Sequence, residues 1–344
     1  MPTVSATDER ALILEILRGL GVPQERADIQ AHWLLEADLR GHPSHGLHRL
    51  SVIAERITER LAEPTASPVL EWMTAACLVV DGQRGLGPCV GSEVVDALIE
   101  RAPATGVAVA AVHNANHLGL LAPYVERVVE HGLMGIALTT SEALVHPWGG
   151  RVGQLGTNPI AVGVPAAPEP FVFDMATGVV SMGKVIDHRN RGTALEPGWA
   201  IDAAGDPTVD AAAAVGGAIA PFGGPKGYGL GLAVELLVAA LTSSALGRAV
   251  GGTLDATTVC NKGDLFLCLD PRTFGADGFI GRVTAYLDEL RATPAQEGFD
   301  HVLVPGDRAR AQRARRLEEG IVVADGVWDG LQALRARLAS GAAA

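Results

Sequence analysis

Gly85-Leu86-Gly87-Pro88-Cys89-Val90-Gly91 is the stretch on which the fold class turns. A Rossmann loop reads GxGxxG directly after a strand and opens a helix. Here three residues, not two, separate the second and third glycines. The preceding β-branched run, Cys77–Asp81, ends several residues earlier. The next strand-like run, Val107–His113, does not finish on an acidic residue that could hold a ribose. The stretch therefore reads as a structural turn, inside an α/β fold that is not Rossmann.

Working outward, the chain is helical before this turn. Ala11–Leu20 is apolar at helical spacing and stops at Gly21; Glu25–Arg40 follows and stops at Gly41. A third helix is expected from Ser44, as N-cap, to about Leu61. Beyond the turn, strand-like runs at Val107–His113, Gly135–Thr140, Pro159–Val164, Phe171–Asp174 and Asp264–Leu269 are interleaved with helical patterns. Those helices are Val90–Arg101, Leu121–Glu130 and Leu230–Leu241, the last expected to be buried. The tail from Gly278 is helical again, with a strand-like His301–Val304. Helices at both ends predict a discontinuous outer domain, residues 1–119 with 276–344, around an inserted domain of 120–275.

Composition narrows the function. The 344 residues carry a formal net charge of -12, which argues against nucleic acid, whose phosphates require a basic surface. The exception is the arginine cluster Arg308-Ala-Arg310 to Arg313-Ala-Arg315-Arg316, which reads as a solvated helix face. Hydrophobic residues make up 48% but aromatics only 4%, so cores rest on Ala, Val, Leu and Ile. Cys77, Cys89, Cys260 and Cys268 form no CxxC pair and fit reduced thiols in the cytoplasm. The polar N-terminus has no signal-like apolar run, and the apolar segment holding Glu235 is too short to span a bilayer.

A second glycine-rich stretch, Pro221-Phe-Gly-Gly-Pro-Lys226-Gly-Tyr-Gly-Leu-Gly231, leads into a helix. No Ser or Thr follows Lys226, so it is not a P-loop. Free N–H groups at a helix start, with Lys226 beside them, could hold a cofactor phosphate; a glycine-rich turn with a surface lysine is the other reading.

The densest chemistry lies in Asp38-Leu-Arg40-Gly-His42-Pro-Ser44-His45-Gly-Leu-His48-Arg49. On a helix from Ser44, Leu50, Ile53, Ile57 and Leu61 form an apolar stripe, with His45, His48 and Arg49 on another face. Arg49 can grip a carboxylate through two parallel hydrogen bonds. His45 can give a proton to an oxygen as hydride reaches the adjacent carbon. Two other readings stand beside this one. The face is only solvated, or His42, His45 and His48, spaced H-x2-H-x2-H, hold the metal of a hydrolase or lyase. His113 and His117, at a strand end, have no carboxylate near in sequence to complete a metal site.

Taken together, these segments resemble the malate/L-lactate dehydrogenase family, which includes sulfolactate, ureidoglycolate and 2,3-diketogulonate dehydrogenases and Δ1-piperideine-2-carboxylate reductase. The resemblance rests on Asp38–Gly46, Asn116-His-Leu-Gly119, Gly156-Thr-Asn-Pro159, Asp174-Met-Ala-Thr177 with Gly183-Lys184, Gly198-Trp-Ala-Ile-Asp202, Pro221–Gly229 and Pro305-Gly306, in that order. It implies a non-Rossmann NAD(P)-binding fold of the L-sulfolactate dehydrogenase type, NAD or NADP as cofactor, a small carboxylate substrate, no membrane partner and a homodimer. By motif match His45 is the proton donor beside Ser44, His117 a second site histidine that some members use as base, and Arg49 and Thr157 substrate contacts. Ser141, Thr157, Asn158, Asp174, Met175, Ala176, Lys226, Pro305 and Gly306 match cofactor contacts, and no metal is implied. The reaction implied interconverts a 2-oxo acid and its 2-hydroxy acid, with reduction of a cyclic 2-imino acid as the alternative. His113, Leu118 and Ser51 depart from residues common in the family, near the expected substrate pocket.

Overall fold

The computed structural model describes residues 1–340. The chain opens with β1 (Thr3–Val4), α1 (Ala6–Gly19) and α2 (Gln24–Leu39), two 3₁₀ turns at Pro43–His45 and Leu47–Arg49, and α3 (Leu50–Thr58). There follow β2 (Val69–Trp72), β3 (Cys77–Asp81), α4 (Gly87–Thr105), β4 (Val107–His113), α5 (Ala122–Glu130), β5 (Met134–Thr139), β6 (Ile160–Val164) and β7 (Phe171–Met175). A small unit comprises α6 (Met182–Arg191), β8 (Ala200–Ile201), β9 (Pro207–Thr208), α7 (Ala211–Val215) and β10 (Ala218–Ile219). The long α8 (Pro225–Thr242), then β11 (Asp264–Leu269), α9 (Phe279–Arg291), α10 (Asp307–Glu319), β12 (Ile321–Val322) and α11 (Asp325–Ala339) complete it.

The main sheet has seven strands in the order β2-β3-β4-β11-β5-β6-β7. Only β3 and β4 run parallel; every other neighbouring pair is antiparallel. Alternation explains its two faces. In β4, Ala108, Ala110 and Val112 point into the core under α4 and α5, while Val109 and Ala111 face α8. The alanines leave room for the helices to approach closely. Tyr124 of α5 is fully buried there and donates to the Leu118 carbonyl at 2.7 Å, pinning the segment after β4.

The two chain ends share an apolar core in which Leu12, Ile16, Leu34 and Leu50 meet Ile321 and Leu334. The main sheet itself takes β2–β4 from before residue 119 and its other strands from after it.

Four expectations change. The helix from Ser44 to Leu61 is broken: Gly46 adopts φ -94° and ψ -142°, and α-helix begins only at Leu50. Ser44 therefore caps no α-helix. The Asp38 carboxylate accepts the Leu47 N–H, so a long-range side chain replaces an intrahelical partner. Residues 301–304 form no strand. The helix containing Leu230–Leu241 buries Val234, Glu235 and Val238 but leaves Leu236, Leu237 and Leu241 more than half exposed. The arginine cluster is not simply solvated. Arg313 grips Glu36 at 2.9 Å and Arg316 donates to the Asp38 carbonyl, which docks α10 against α2, while Arg310 pairs with Asp307 at 2.7 Å within α10 itself.

Candidate active site

Two hollows lie on either side of the segment that follows β4. The first, about 490 Å³ including its mouth, is lined by His45, Arg49, Arg56, Asn116, His117 and Trp33, among others. The second, about 1050 Å³ including its mouth, is lined by His42, Leu120, Asp174, Pro305, Gly306 and Arg308, among others.

The 3₁₀ turn places His45 in the first hollow because its backbone is tied to the end of α2. His42 N–H donates to Ala37 O at 2.8 Å, and His45 N–H donates to His42 O at 2.9 Å. The His45 ring lies 5.4 Å from that of His117, centroid to centroid, and Ser44 Oγ is 3.1 Å from His45 Nδ1. Burial, then the nearby Arg49 guanidinium, push the His45 imidazole down to about 3. His117 is driven down by the same two causes, burial foremost.

The proton on His117 is fixed by one contact. Gly119 N–H points at His117 Nδ1 at 3.0 Å. A peptide N–H can only donate, so Nδ1 carries the lone pair and Nε2 the proton. An imidazolium at this position would set two donors head to head. The close approach of this segment depends on Gly87 in α4, where a Cβ would fall 2.1 Å from the His117 carbonyl oxygen. The glycine motif rejected as a nucleotide loop thus serves the site through packing.

Arg49 donates to the Thr253 carbonyl, and Glu142 holds the same loop through Thr253 N–H at 2.7 Å and Thr253 Oγ1 at 2.8 Å. Among the described residues, Arg49 makes no direct ion pair. Arg56, two helical turns beyond, went unnoticed in the sequence although that spacing puts it on the same face. Its Nε donates to Asn116 Oδ1 at 2.9 Å and its Nη1 to the carbonyls of Asp255 and Thr258 at 2.6 and 3.1 Å. Its buried Nη2 has no partner, nor has the Trp33 indole N–H. One hollow therefore holds two guanidiniums, with a charged donor left over.

The remaining expected residues separate. His42 lines the second hollow and His48 is exposed, so the three imidazoles of the H-x2-H-x2-H series do not converge. Among the described residues no group of three His, Cys, Asp or Glu side chains could hold a metal ion. His113 lies opposite Asp81 in the sheet register, so it does have a carboxylate neighbour, supplied by the adjacent strand.

Asp174, Pro305 and Gly306 line the second hollow together. Asp174 also accepts the Leu121 and Ala122 N–H groups at 3.1 and 2.7 Å, capping α5, and burial raises its carboxyl to about 6. Met175 and Ala176 continue half-buried from the end of β7. Ser141 and Thr157 lie together, Ser141 Oγ accepting Thr157 N–H at 2.9 Å. Neither is among the residues lining the two hollows. Asn158 is fully buried, its amide turned inward to Glu235 at 2.7 Å. Lys226 is exposed in the first turn of α8, and no ion pair engages it among the described residues.

Glu235 is the second residue that sequence reading passed over. Isolated in an apolar helix, it accepts N–H groups from Gly156 at 3.3 Å and Gly247 at 2.6 Å besides the Asn158 amide. A lone acid in an apolar run was the available signal, since buried carboxylates require such partners.

Comparison with known proteins agrees with this architecture. The model of the malate/L-lactate dehydrogenase family matches residues 4–332. The crystal structure of a dehydrogenase from Sinorhizobium meliloti is 48% identical, with a TM-score of 0.94 over 97% of this chain and 98% of that one. Sulfolactate dehydrogenase from Methanocaldococcus jannaschii is 34% identical with a TM-score of 0.92, covering 98% of each chain. A Delta(1)-pyrroline-2-carboxylate reductase from Ancylobacter novellus is 35% identical over 343 residues, 97% of this chain and 98% of that protein. The chain belongs to the malate/L-lactate dehydrogenase family and is an oxidoreductase of the 2-hydroxy-acid dehydrogenase type.

Proposed function

We propose that the protein interconverts a small 2-oxo acid and its 2-hydroxy acid, with His45 moving the proton. The observation that carries this is the half-buried His45–His117 pair beside Arg49, a guanidinium without a carboxylate of its own. Arg49 binds and orients the substrate carboxylate by charge-assisted hydrogen bonds. Burial, then the Arg49 charge, hold the free His45 neutral; a bound carboxylate offsets the second of these and favours uptake of a proton by His45. His45 then delivers this proton to the substrate oxygen on reduction, or removes it as base on oxidation. Ser44 orients the His45 ring through Nδ1. His117, locked neutral by Gly119, donates from Nε2 to the same oxygen and does not act as the base.

A reduced nicotinamide, when bound, supplies the hydride. The second hollow suits an anionic dinucleotide: Arg308, in no ion pair among the described residues, lines it with Asp174, Pro305 and Gly306, beside Arg40, Arg310 and Arg313, which are paired with Glu36, Glu126 and Asp307. Ser141, Thr157, Asn158 through its backbone, Met175, Ala176 and Lys226 would complete that binding. We take this to be a non-Rossmann mode of binding, in keeping with a sheet whose strands are nearly all antiparallel. A site between helical chain ends and an inserted domain fits the shared core of those ends. The apolar face of α8 around Leu236, Leu237 and Leu241 suits a second copy of the chain, giving a homodimer. No helix among the described residues is long and apolar enough to cross a membrane.

Reduction of a cyclic 2-imino acid at the same residues is the second reading, favoured by the likeness to the pyrroline-2-carboxylate reductase. Arg56 weighs against it. A second buried guanidinium with a free N–H suits a substrate bearing a second anionic group, and a simple cyclic imino acid has one. Rates with oxaloacetate, pyruvate and Δ1-piperideine-2-carboxylate, each with NADH and NADPH, test the proposal. A preference for the dianion supports it; activity on the imino acid alone replaces it with the second reading.

A further inference from the structure

Two carboxyl groups meet inside the protein next to the turn that carries His45. Glu9 of α1 is 0% exposed and Asp38 of α2 is 4% exposed. Among the described residues, no N–H or O–H donor of another group reaches either Glu9 oxygen. The Asp38 carboxyl is the neighbouring acid that acts on Glu9, and it accepts the Leu47 N–H. Gly46 presses on it so closely that a Cβ there would fall 2.0 Å from Asp38 Oδ2. Asp38 is thus the seat on which residues 46 and 47 rest, directly after His45.

Two ionised carboxylates cannot satisfy each other, because each only accepts. One proton between them resolves this, as in other carboxyl pairs. The surrounding charges agree. From α10, Arg316 acts on both groups and donates to the Asp38 carbonyl, balancing the single negative charge that remains. From α3, Arg56 is committed to Asn116 and two loop carbonyls. From α11, Arg335 turns to Glu15 at 3.4 Å and Asp325 to the N-terminal ammonium at 2.7 Å.

We propose that Glu9 and Asp38 share one proton, and that Glu9 is a positioning residue which holds Asp38 under Leu47 and so keeps His45 facing His117. The proposal rests on the reading of His45 as the proton carrier. Burial, then the Asp38 charge, raise Glu9 to about 9, and burial raises Asp38 to about 6. Glu9, whose oxygens no other donor reaches, is the acid, and Asp38, which already accepts the Leu47 N–H, is the acceptor. Above the raised value the proton leaves, two negative charges face each other in a buried space, and the turn loses its seat. The folded chain holds a proton that the unfolded chain releases near 4.5. Stability from this pair is therefore present at acid pH and falls as pH rises towards 9.

Glu9→Gln keeps a donor and cannot ionise. Melting temperature against pH, measured without substrate, reads the shared proton. The variant should gain on the wild type steadily from pH 5 to 9, and a difference independent of pH overturns the proposal. The kcat profile reads the positioning. The wild type should lose activity with an apparent pKa near 9 and Glu9→Gln should not; an identical alkaline limb in both overturns it. Infrared spectra of the wild type alone supply a check that needs no variant. A protonated-carboxyl band that bleaches near pH 9 is expected, and its absence at pH 7 sinks the shared proton. Failure of the wild type to reduce any 2-oxo or 2-imino acid would defeat the functional reading instead, while the melting and infrared results still decide the proton.

Discussion

The turn at residues 43–49 and the glycine-rich entry to α8 both read as site motifs, yet they are built in opposite ways. In the turn, His45, Gly46 and Arg49 N–H groups bond back to His42, Pro43 and Gly46 carbonyls, and Leu47 N–H is taken by Asp38. Ser44 is packed so tightly that a Cβ on Gly183 would sit 3.0 Å from its own Cβ. In the α8 entry, Gly223 and Gly224 hold positive φ of 56° and 63°, and Lys226 projects into solvent. Proton transfer tolerates little misplacement, so its groups are fixed before substrate arrives. A phosphate is held by charge and open N–H groups, which can wait for it.

That contrast can be broken. His45→Ala should lower kcat by on the order of a hundredfold or more while dinucleotide binding, followed by fluorescence, is retained; an unchanged kcat removes His45 from the chemistry. Gly46→Ala should cost about 2 kcal/mol of stability, read by denaturant unfolding, because the added methyl meets Asp38. A neutral result would mean that the turn is not rigid. Arg49→Leu should raise the KM for the oxo acid by on the order of tenfold or more, with a smaller change in cofactor affinity. Lys226→Ala should weaken cofactor binding only about threefold, with a shallower salt dependence, as expected of an exposed charge. A hundredfold loss there would make the two regions alike.

The last expectation is a flat profile. His45 lies far below its ordinary value of 6.5, so the free enzyme holds it as a neutral base at every pH above about 3. The kcat/KM for hydroxy-acid oxidation should therefore show no histidine limb near pH 6.5. Binding of an oxo acid should take up a proton, seen as a binding enthalpy that varies with the ionisation heat of the buffer.

Much of this was legible beforehand. Cys77–Asp81, Val107–His113 and Asp264–Leu269 are strands with the expected limits, because β-branched runs bounded by turn residues carry their own signal. His45 and Arg49 do line one hollow, but not through helical spacing, since Gly46 breaks the helix between them and leaves His48 exposed. The short strands β8, β9 and β10 were missed, since two residues show no alternation. Glu9 lay in the polar stretch ahead of the expected first helix, and Arg56 went unnoticed within the third.

Residue order by itself determined the local elements, the family and the kinds of groups available, because periodicity and motif are properties of neighbours along the chain. Which imidazole faces which, where His117 keeps its proton, and why the helix begins at Leu50 rather than Ser44 were decided only by tertiary structure. Those depend on Gly119, Asp38, Glu9 and the chain ends meeting in space, and burial among such distant partners sets both charge and hydrogen bonding.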